Sequence, residues 1–185
     1  GIRVPGILHW PAKLTHAKII DTPISGVDVL PTFCEIAKAK IPATLKLDGT
    51  SFVPALQGKP LRRSVPLYWQ VHGARGEDQV AIIDGDWKLV GQFDGGSLKP
   101  HGDIFKEHQN RNHTAKVVRY RLYNLATDET TDLSQANPKV LNRLTNEMTR
   151  MFSSVQTDNP TWQAWTWPRL EGKQINAYVE SLKKQ

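Results

Sequence analysis

The side chains best suited to chemistry lie in one short loop, which carries an imidazole and a guanidinium, each followed by a glycine, His72–Gly73–Ala74–Arg75–Gly76. An imidazole exchanges protons near neutral pH, and a guanidinium binds oxyanions through paired hydrogen bonds. Neither an activated nucleophile nor a cluster of carboxylates accompanies this loop in the sequence. The two side chains either contact a ligand or merely order the loop, so the sequence alone shows no complete catalytic constellation.

The cysteine and histidine positions indicate neither a catalytic site nor a metal site. The single cysteine, Cys34, cannot form an internal disulfide and is expected to pack on the buried face of a helix. His101, His108 and His113 are separated by seven and five positions, which matches no metal-ligand motif. Asn112–His113–Thr114 is a glycosylation sequon in a protein that is exported. We predict no catalytic residue and no metal ligand in this chain.

The composition is that of an ordinary globular protein with a basic bias. The 185 residues include 24 basic and 18 acidic side chains, which gives a net charge of +6. This balance favours an anionic partner, or it reflects only a solvated basic surface, because the basic residues are scattered. No motif for nucleic-acid binding and no apolar stretch of membrane-spanning length is present. We therefore predict neither a nucleic acid nor a membrane as a partner.

Hydrophobic periodicity predicts an antiparallel sheet in the middle of the chain. Apolar and polar residues alternate over 67–72, and residues 80–83 form a short apolar run. Asp84–Gly85 is a hairpin signal, because glycine readily supplies the positive φ that a primed turn needs. A strand over Trp87–Val90 follows, and the predicted sheet has one solvent-exposed face and one buried face.

A further strand, Val117–Leu125, is predicted to pair with Trp87–Val90 after a long loop from Gly91 to His113. In this strand Tyr120, Leu122 and Val118 share one face. Asn137–Pro138 is a strong helix start, because proline fits the first helical position. A single apolar stripe follows, and we expect this helix of about five turns to pack on the sheet. The stripe consists of Val140, Leu141, Leu144, Met148, Met151, Phe152 and Val155.

Weaker patterns describe the two ends of the chain. Apolar residues in Ile2–Trp10 predict a strand, with Ile19–Ile20 as a second short one. Ser25–Lys40 is a helix with Asp28 as its N-cap and an apolar face of Val27, Leu30, Phe33, Cys34 and Ala37. Ser51–Leu56 forms a short helical turn, and Ile175–Leu182 forms a last helix.

Several of these pieces, in this order, resemble the C-terminal part of the formylglycine-dependent (type I) sulfatases, of the arylsulfatase and N-acetylgalactosamine-6-sulfatase kind. The match consists of short motifs spread over residues 1 to about 157, and it leaves out the tail. The motif residues are Gly1-Ile2-Arg3-Val4-Pro5 with Trp10-Pro11, then Asp28, Pro31 and Thr32, then Asp48, Gly49 and Ser51, then Arg62, Leu67, Tyr68, Trp69, His72 and Gly73, then Asp86-Trp87-Lys88-Leu89, and finally Leu122, Tyr123, Asn124, Leu125, Asp128, Thr131 and Leu133.

The resemblance implies an α/β (α+β) fold, in which a small antiparallel sheet packed by a long C-terminal helix follows an edge strand and a helix of an alkaline-phosphatase-like main domain. Residues 1–60 would then end the large domain, residues 61–157 would form the small sheet and helix, and residues 158–185 would form a Trp-rich tail. The family's formylglycine and calcium-binding acids would lie upstream of Gly1. This chain alone would be inactive, and it would self-associate through apolar faces left exposed in residues 1–60.

The resemblance also implies roles for the loop. His72 would donate a hydrogen bond to a sugar hydroxyl, Arg75 would pair with a second anionic group, and Gln70 would reach the same rim of the substrate pocket. The family often has a glutamate in the position of Gln70. The substrate would be a sulfated carbohydrate or an aryl sulfate, and the protein would be periplasmic, secreted or lysosomal.

A different hypothesis is a stand-alone module that binds carbohydrate or polyanions. It would use the basic balance together with three indole rings in the tail, Trp162, Trp165 and Trp167. Alternatively, these rings fold back and are buried.

Overall fold

The computed structural model describes residues 2, 4–71, 79–94, 111–159 and 170–183. It has a four-stranded antiparallel sheet with the strand order β1-β2-β3-β4. The strands are β1 (Leu67–Val71), β2 (Gln79–Asp84), β3 (Trp87–Phe93) and β4 (Val117–Asn124). A 3₁₀ turn (Gly26–Asp28) leads into α1 (Val29–Ala37), and the other helices are α2 (Val53–Leu56), α3 (Arg111–Thr114), α4 (Pro138–Asp158) and α5 (Leu170–Lys183).

The predicted hairpin between β2 and β3 is confirmed, but its turn lies one residue later than predicted. Asp84 still belongs to the ladder, where it pairs with Trp87, so the two-residue turn is Gly85–Asp86. Gly85 has φ +58°. Positive φ at the first central position alone is what a type II′ turn requires, and this places glycine first in the turn.

The loop was predicted to begin at Gly91, but β3 continues through Phe93. Gly91 makes this extension possible by letting the neighbouring side chains close over it. A Cβ at Gly91 would lie 2.5 Å from Val117 Cγ1, 2.9 Å from Val80 Cγ1 and 3.0 Å from Met148 Sδ. In the sequence a glycine after Val90 resembles a loop residue, whereas in the sheet it permits a close approach of side chains.

β4 pairs with β3 as predicted, but the side chains of its first residues do not follow the predicted alternation between the two faces of the sheet. The ladder shifts register between Gln92 and Phe93, where Phe93 pairs with Val117 while Gln92 pairs with Arg119. The extra residue of this bulge is Val118, which is exposed, and Val117 packs against the core in its place. The prediction that Val118 shares the face of Tyr120 and Leu122 is therefore wrong, because a bulge breaks the period of two.

Helix α4 begins after Asn137, as predicted, and packs its apolar stripe on β2, β3 and β4. Leu144 and Met148 are fully buried, and the rings of Phe93 and Phe152 stack with centroids 5.1 Å apart. This face of the sheet, which we call the helix-side face, holds the main core. The core members are Val80, Ile82, Leu89, Phe93, Ala115, Leu122, Leu144, Met148 and Phe152.

Residues 4–25 contain no strand, so the edge strand predicted over Ile2–Trp10 and the short one at Ile19–Ile20 are not formed in the described part of this segment. An extended segment becomes a strand only when a neighbour accepts and donates its backbone hydrogen bonds. The described residues provide no such neighbour, and the apolar side chains of this segment, including Ile7 and Ile19, are exposed.

Helix α1 is shorter than predicted and buries a different face. It ends at Ala37 because Lys38 adopts the left-handed conformation, with φ 55°. The apolar residues Val27, Leu30 and Phe33 are exposed, because no described residue covers this face, and Cys34 is only half-buried. Pro31 and Thr32 are the buried residues of the helix.

The short helix at residues 53–56 and the last helix are both confirmed, and α5 is longer than predicted. No helix in the ranges described combines the length and the apolarity needed to cross a membrane. Trp162, Trp165 and Trp167 lie outside the described residues, as do His101 and His108.

Candidate functional site

Of the three predicted substrate-binding residues, Gln70 is the one that the structure describes. His72 and Arg75 lie outside the described residues. Gln70 is the penultimate residue of β1, a strand at the edge of the sheet, and it pairs with the buried Val80 of β2. The chain passes directly from the end of this strand into the predicted substrate loop, so Gln70 stands at the base of that loop.

Tyr68 is a hydrogen-bond partner of the Gln70 side chain. The Tyr68 hydroxyl donates a hydrogen bond of 2.6 Å to Gln70 Oε1. Both residues are half-buried, and they share the helix-side face because they are two positions apart on one strand. Burial raises the pKa of the Tyr68 hydroxyl well above its ordinary value. The hydroxyl therefore remains a protonated donor throughout the range in which proteins work.

The opposite face of the sheet carries a mixture of aromatic and basic side chains. Trp69, Ala81, Val90 and Arg121 form one row across the four strands. In the adjacent row Lys88 Nζ lies 4.9 Å from the centre of the Tyr123 ring, a cation–π contact. Arg119 on the same face is exposed. The basic side chains on this face thus account for part of the net positive charge of the chain.

An open cleft of about 540 Å³ lies between α4 and the residues that lead into β1. It contains three arginines, and each of them is paired with a carboxylate. Arg63 pairs with Asp28, Arg143 with Asp84, and Arg150 with Glu147, the last at 2.6 Å. The charges within this cleft are balanced, and we assign it no ligand.

In the part of the chain that the structure describes, the carboxylate of Asp28 accepts four hydrogen bonds and is completely buried. Arg63 donates to both of its oxygens at 2.7 Å, and the backbone N–H groups of Ser25 and Thr50 donate at 2.7 and 2.8 Å. Burial alone would raise the pKa of Asp28, but these hydrogen bonds outweigh it and hold the pKa below its ordinary value of 3.8. The side chain predicted to cap α1 instead joins three segments of the chain.

The motif residues around Asp28 have structural roles. The Thr32 hydroxyl donates to the Asp28 carbonyl at 2.6 Å and accepts the Phe52 N–H at 3.1 Å. Gly49 lies against the backbone, since a Cβ there would be 1.9 Å from the Val27 carbonyl oxygen. We call Asp28, Arg63, Thr32, Thr50 and Ser25 the polar hub.

Arg63 is not among the motif residues that the sequence indicates, whereas its exposed neighbour Arg62 is. The only signal in the sequence was the Arg62–Arg63 pair itself, and this pair does not show which of the two is buried. The motif residue Asp128 also has a structural role, because it accepts hydrogen bonds from the backbone and hydroxyl of Thr130 and from the hydroxyl of Thr131. These contacts hold the pKa of Asp128 at about 2 and fix the loop after β4.

The described residues do not fit a calcium site. Calcium takes six to eight oxygen ligands, usually from several carboxylates. Among the residues that the structure describes, no three histidine, cysteine or acidic side chains are placed to hold a metal ion. The one carboxylate that is buried among the described residues, that of Asp28, already accepts four hydrogen bonds.

Comparison with known proteins confirms the resemblance to sulfatases. Arylsulfatase D of Homo sapiens is 45% identical over 62 residues, which are 34% of this chain and 10% of that protein. The ulvan-active sulfatase of Formosa agariphila is 44% identical over 59 residues, which are 32% of this chain and 11% of that protein. Arylsulfatase G of Mus musculus is 25% identical over 172 residues, which are 90% of this chain and 31% of that protein.

No protein-family model matches the chain. The matched part of the chain spans about a tenth to a third of the length of these curated relatives. The similarity to sulfatases therefore runs through most of this chain, and the chain corresponds to a minor part of each relative.

Proposed function

We propose that this chain is the C-terminal region of a sulfatase, a sulfuric ester hydrolase that acts on sulfated carbohydrate or aryl sulfate, and that it forms one wall of the substrate pocket. The observation that carries this proposal is the match to arylsulfatase G over 90% of the chain. The shorter matches at higher identity, to proteins that are also sulfatases, support the same activity.

Hydrolysis of a sulfate ester needs a nucleophile, a cationic or metal clamp for the sulfonyl oxygens, and an acid for the leaving group. We place the formylglycine nucleophile and the calcium site in other parts of the complete protein. The polar hub supports this division. The acidic motif residue Asp28 accepts four hydrogen bonds from Arg63, Ser25 and Thr50, so its role is structural and not catalytic.

The contribution of this chain is substrate contact at the end of β1. His72 donates to a sugar hydroxyl, Arg75 pairs with a second anionic group on the substrate, and Gln70 contacts the same rim. The position of Gln70 at the base of the loop supports this assignment. By the same resemblance, the protein acts in the periplasm, outside the cell or in a lysosome.

The test is an assay of sulfate release by the complete protein that contains this chain, with a sulfated oligosaccharide and with 4-nitrophenyl sulfate as substrates. Arg75→Ala should raise KM for the oligosaccharide about tenfold or more, since it removes a charge-assisted contact. Arg119→Ala, on the exposed surface of β4, is the matched control and should leave KM unchanged. Chelation of calcium should abolish the activity.

Absence of sulfate release from both substrates by the calcium-loaded complete protein would overturn the proposed function. Binding of the oligosaccharide without hydrolysis, lost on replacement of the three tail tryptophans, would support a binding module instead.

A further inference from the structure

Helix α1 is inverted relative to an ordinary surface helix. Its polar side is buried, since Asp28, which precedes the helix, and Thr32 have no exposed surface. Its apolar side chains are the exposed ones, with Val29 41%, Leu30 53% and Phe33 60% exposed. A surface helix normally turns its apolar stripe to the core and its polar side to water. Helix α1 therefore carries an apolar surface that the described residues leave uncovered.

This uncovered surface is wider than a single stripe. Successive helical residues are about 100° apart, so the side chains from Ile36 round to Cys34 span roughly 160° of the circumference. A helix that packs on one layer needs a stripe of about 100°. A wider surface fits a groove, because the floor and walls of a groove cover more of a helix than one layer does. We call this surface the apolar arc, and its members are Val29, Leu30, Phe33, Cys34, Ile36 and Ala37.

The polar hub fixes the rotation of α1 about its own axis. The Asp28 carboxylate accepts four hydrogen bonds within the hub. One turn later, on the same side of the helix, the Thr32 hydroxyl accepts the Phe52 N–H at 3.1 Å. A rotation that buried the apolar arc would break these five hydrogen bonds and leave a buried carboxylate without partners. The helix is thus held with the apolar arc outward.

We propose that the apolar arc of α1 docks in an uncharged, apolar groove formed by the rest of the complete sulfatase, and that the polar hub positions the helix for this contact. The inference rests on the proposed function, because it takes this chain to be one region of a longer protein. The matched segment is 31% of arylsulfatase G, so a protein of that kind has enough further chain to form such a groove. The groove is uncharged, because the arc carries no charged side chain that could compensate a buried charge there.

A second copy of this chain fits the apolar arc less well. Two copies of α1 that face each other contact along one stripe each, because both helix surfaces are convex. Part of each arc would then stay in water, whereas a groove covers the whole arc.

Cys34 is a native probe for this docking, because it lies within the apolar arc and is only half-buried in this chain. In the complete protein, Cys34 should react with N-ethylmaleimide at least about 100-fold more slowly than in the same protein unfolded in urea, since the reaction requires the groove to open. Mass spectrometry of the peptide that contains Cys34 measures this rate separately from that of any other cysteine.

A matched pair of substitutions tests whether the arc is the contact surface. Leu30→Gln places a polar side chain inside the arc, and Glu35→Gln places the same side chain outside the arc on the same helix. Leu30→Gln should accelerate the labelling of Cys34 about tenfold or more, because burying an amide without partners is costly. Glu35→Gln should leave the rate unchanged. Equal rates in the two variants would contradict docking through the arc.

The positioning role of the hub is tested by Thr32→Val, which keeps a similar volume and removes the hydroxyl that accepts the Phe52 N–H. Labelling of Cys34 should accelerate about threefold to tenfold, because the hub then holds the helix less firmly. Thr149→Val, at an exposed threonine of α4, is the matched control and should have no effect. Amide exchange in α4 should stay constant, whereas a general loss of stability would accelerate it as well. An unchanged Cys34 rate in Thr32→Val would overturn the role of the hub.

The outcomes separate this inference from the proposed function. A complete protein that releases sulfate, but whose Cys34 reacts within about tenfold of the unfolded rate, would overturn the docking and leave the proposed function intact. Protection of Cys34 that is lost on dilution to the monomer would show that a second copy covers the arc, and it would also overturn the docking. Protection that is independent of concentration, in a protein without sulfatase activity, would support the docking and overturn the proposed function alone.

Discussion

Two regions of this chain are held together by different forces. Residues 4–66 leave large apolar side chains in solvent, with Ile7 98% and Ile19 92% exposed, and their most buried polar feature is the hub around Asp28. The unit from β1 to α4 buries Val80 and Ile82 completely. The first region is held by directional hydrogen bonds between segments far apart in the sequence, whereas the second is held by the removal of apolar surface from water.

This difference determines how each region should respond to a mutation. A buried ion pair depends on both partners, because removing one leaves an uncompensated charge in a low-dielectric environment. An apolar core depends on volume, because its interior is close-packed. Amide hydrogen exchange resolved by region can measure the two responses separately.

The largest effect should come from Asp28→Asn, which leaves Arg63 buried without its counter-ion. The Arg63 side chain is only 10% exposed, so we expect a loss of about 3–5 kcal/mol in the free energy of unfolding of residues 23–66. Exchange at the amides of Ser25 and Thr50, which donate to Asp28, should accelerate most. Asp21→Asn, at an exposed position, is the control. Equal and small effects of the two substitutions would show that the hub does not stabilise this region.

A comparable or smaller effect is expected from Leu144→Ala in the second region. Leu144 is fully buried between α4 and the sheet, so the cavity should cost about 2–5 kcal/mol, measured by urea denaturation. Val155→Ala, on the same helix but partly exposed, should cost much less. Exchange at Ser25 and Thr50 should remain unchanged, and acceleration there would mean that the two regions unfold as one.

Gly91→Ala should destabilise the sheet moderately by overpacking. The new Cβ would lie 2.5 Å from Val117 Cγ1, which is too close without movement of β4, and the cost should be about 1–3 kcal/mol. Gly26→Ala, where nothing lies within 4 Å, is the matched control. If Gly91→Ala were as stable as wild type in urea, β3 would not make this close approach.

The smallest effect should be seen on acidification. The folded-state pKa of Asp28 lies below the ordinary value of 3.8, so its stabilisation is complete above that value and is lost as pH falls below it. Exchange at the amides of Ser25 and Thr50, which donate to Asp28, should therefore accelerate as pH falls below 3.8. The hydrogen bonds that Asp128 accepts from Thr130 should be lost as pH approaches the Asp128 pKa of about 2. Unchanged exchange at Ser25 and Thr50 throughout this acid range would contradict the assignment of their hydrogen bonds to Asp28.

The same contrast explains which elements could be predicted. The hairpin β2–β3 and the start of α4 were predicted correctly, because alternation and the Asn137–Pro138 pair are local signals. The strand predicted over Ile2–Trp10 is not formed in the described residues, because an extended pattern does not show whether a pairing neighbour exists. The role of Gln70 is predicted from the resemblance of the chain to sulfatases, and its hydrogen bond with Tyr68 could not be predicted, because alternation indicates only which face a residue shares.

The sequence by itself determined the strands of the sheet, the long helix and the similarity to sulfatases, since each is recorded in short local patterns of residue types. Tertiary structure alone decided that Arg63 and not Arg62 pairs with Asp28, and that Val117 and not Val118 enters the core. It also decided that Gln70 is held by Tyr68. A buried hydrogen bond, a bulge and a side-chain orientation each depend on which atoms come within about 3 Å of one another, and the pattern along the chain does not record this.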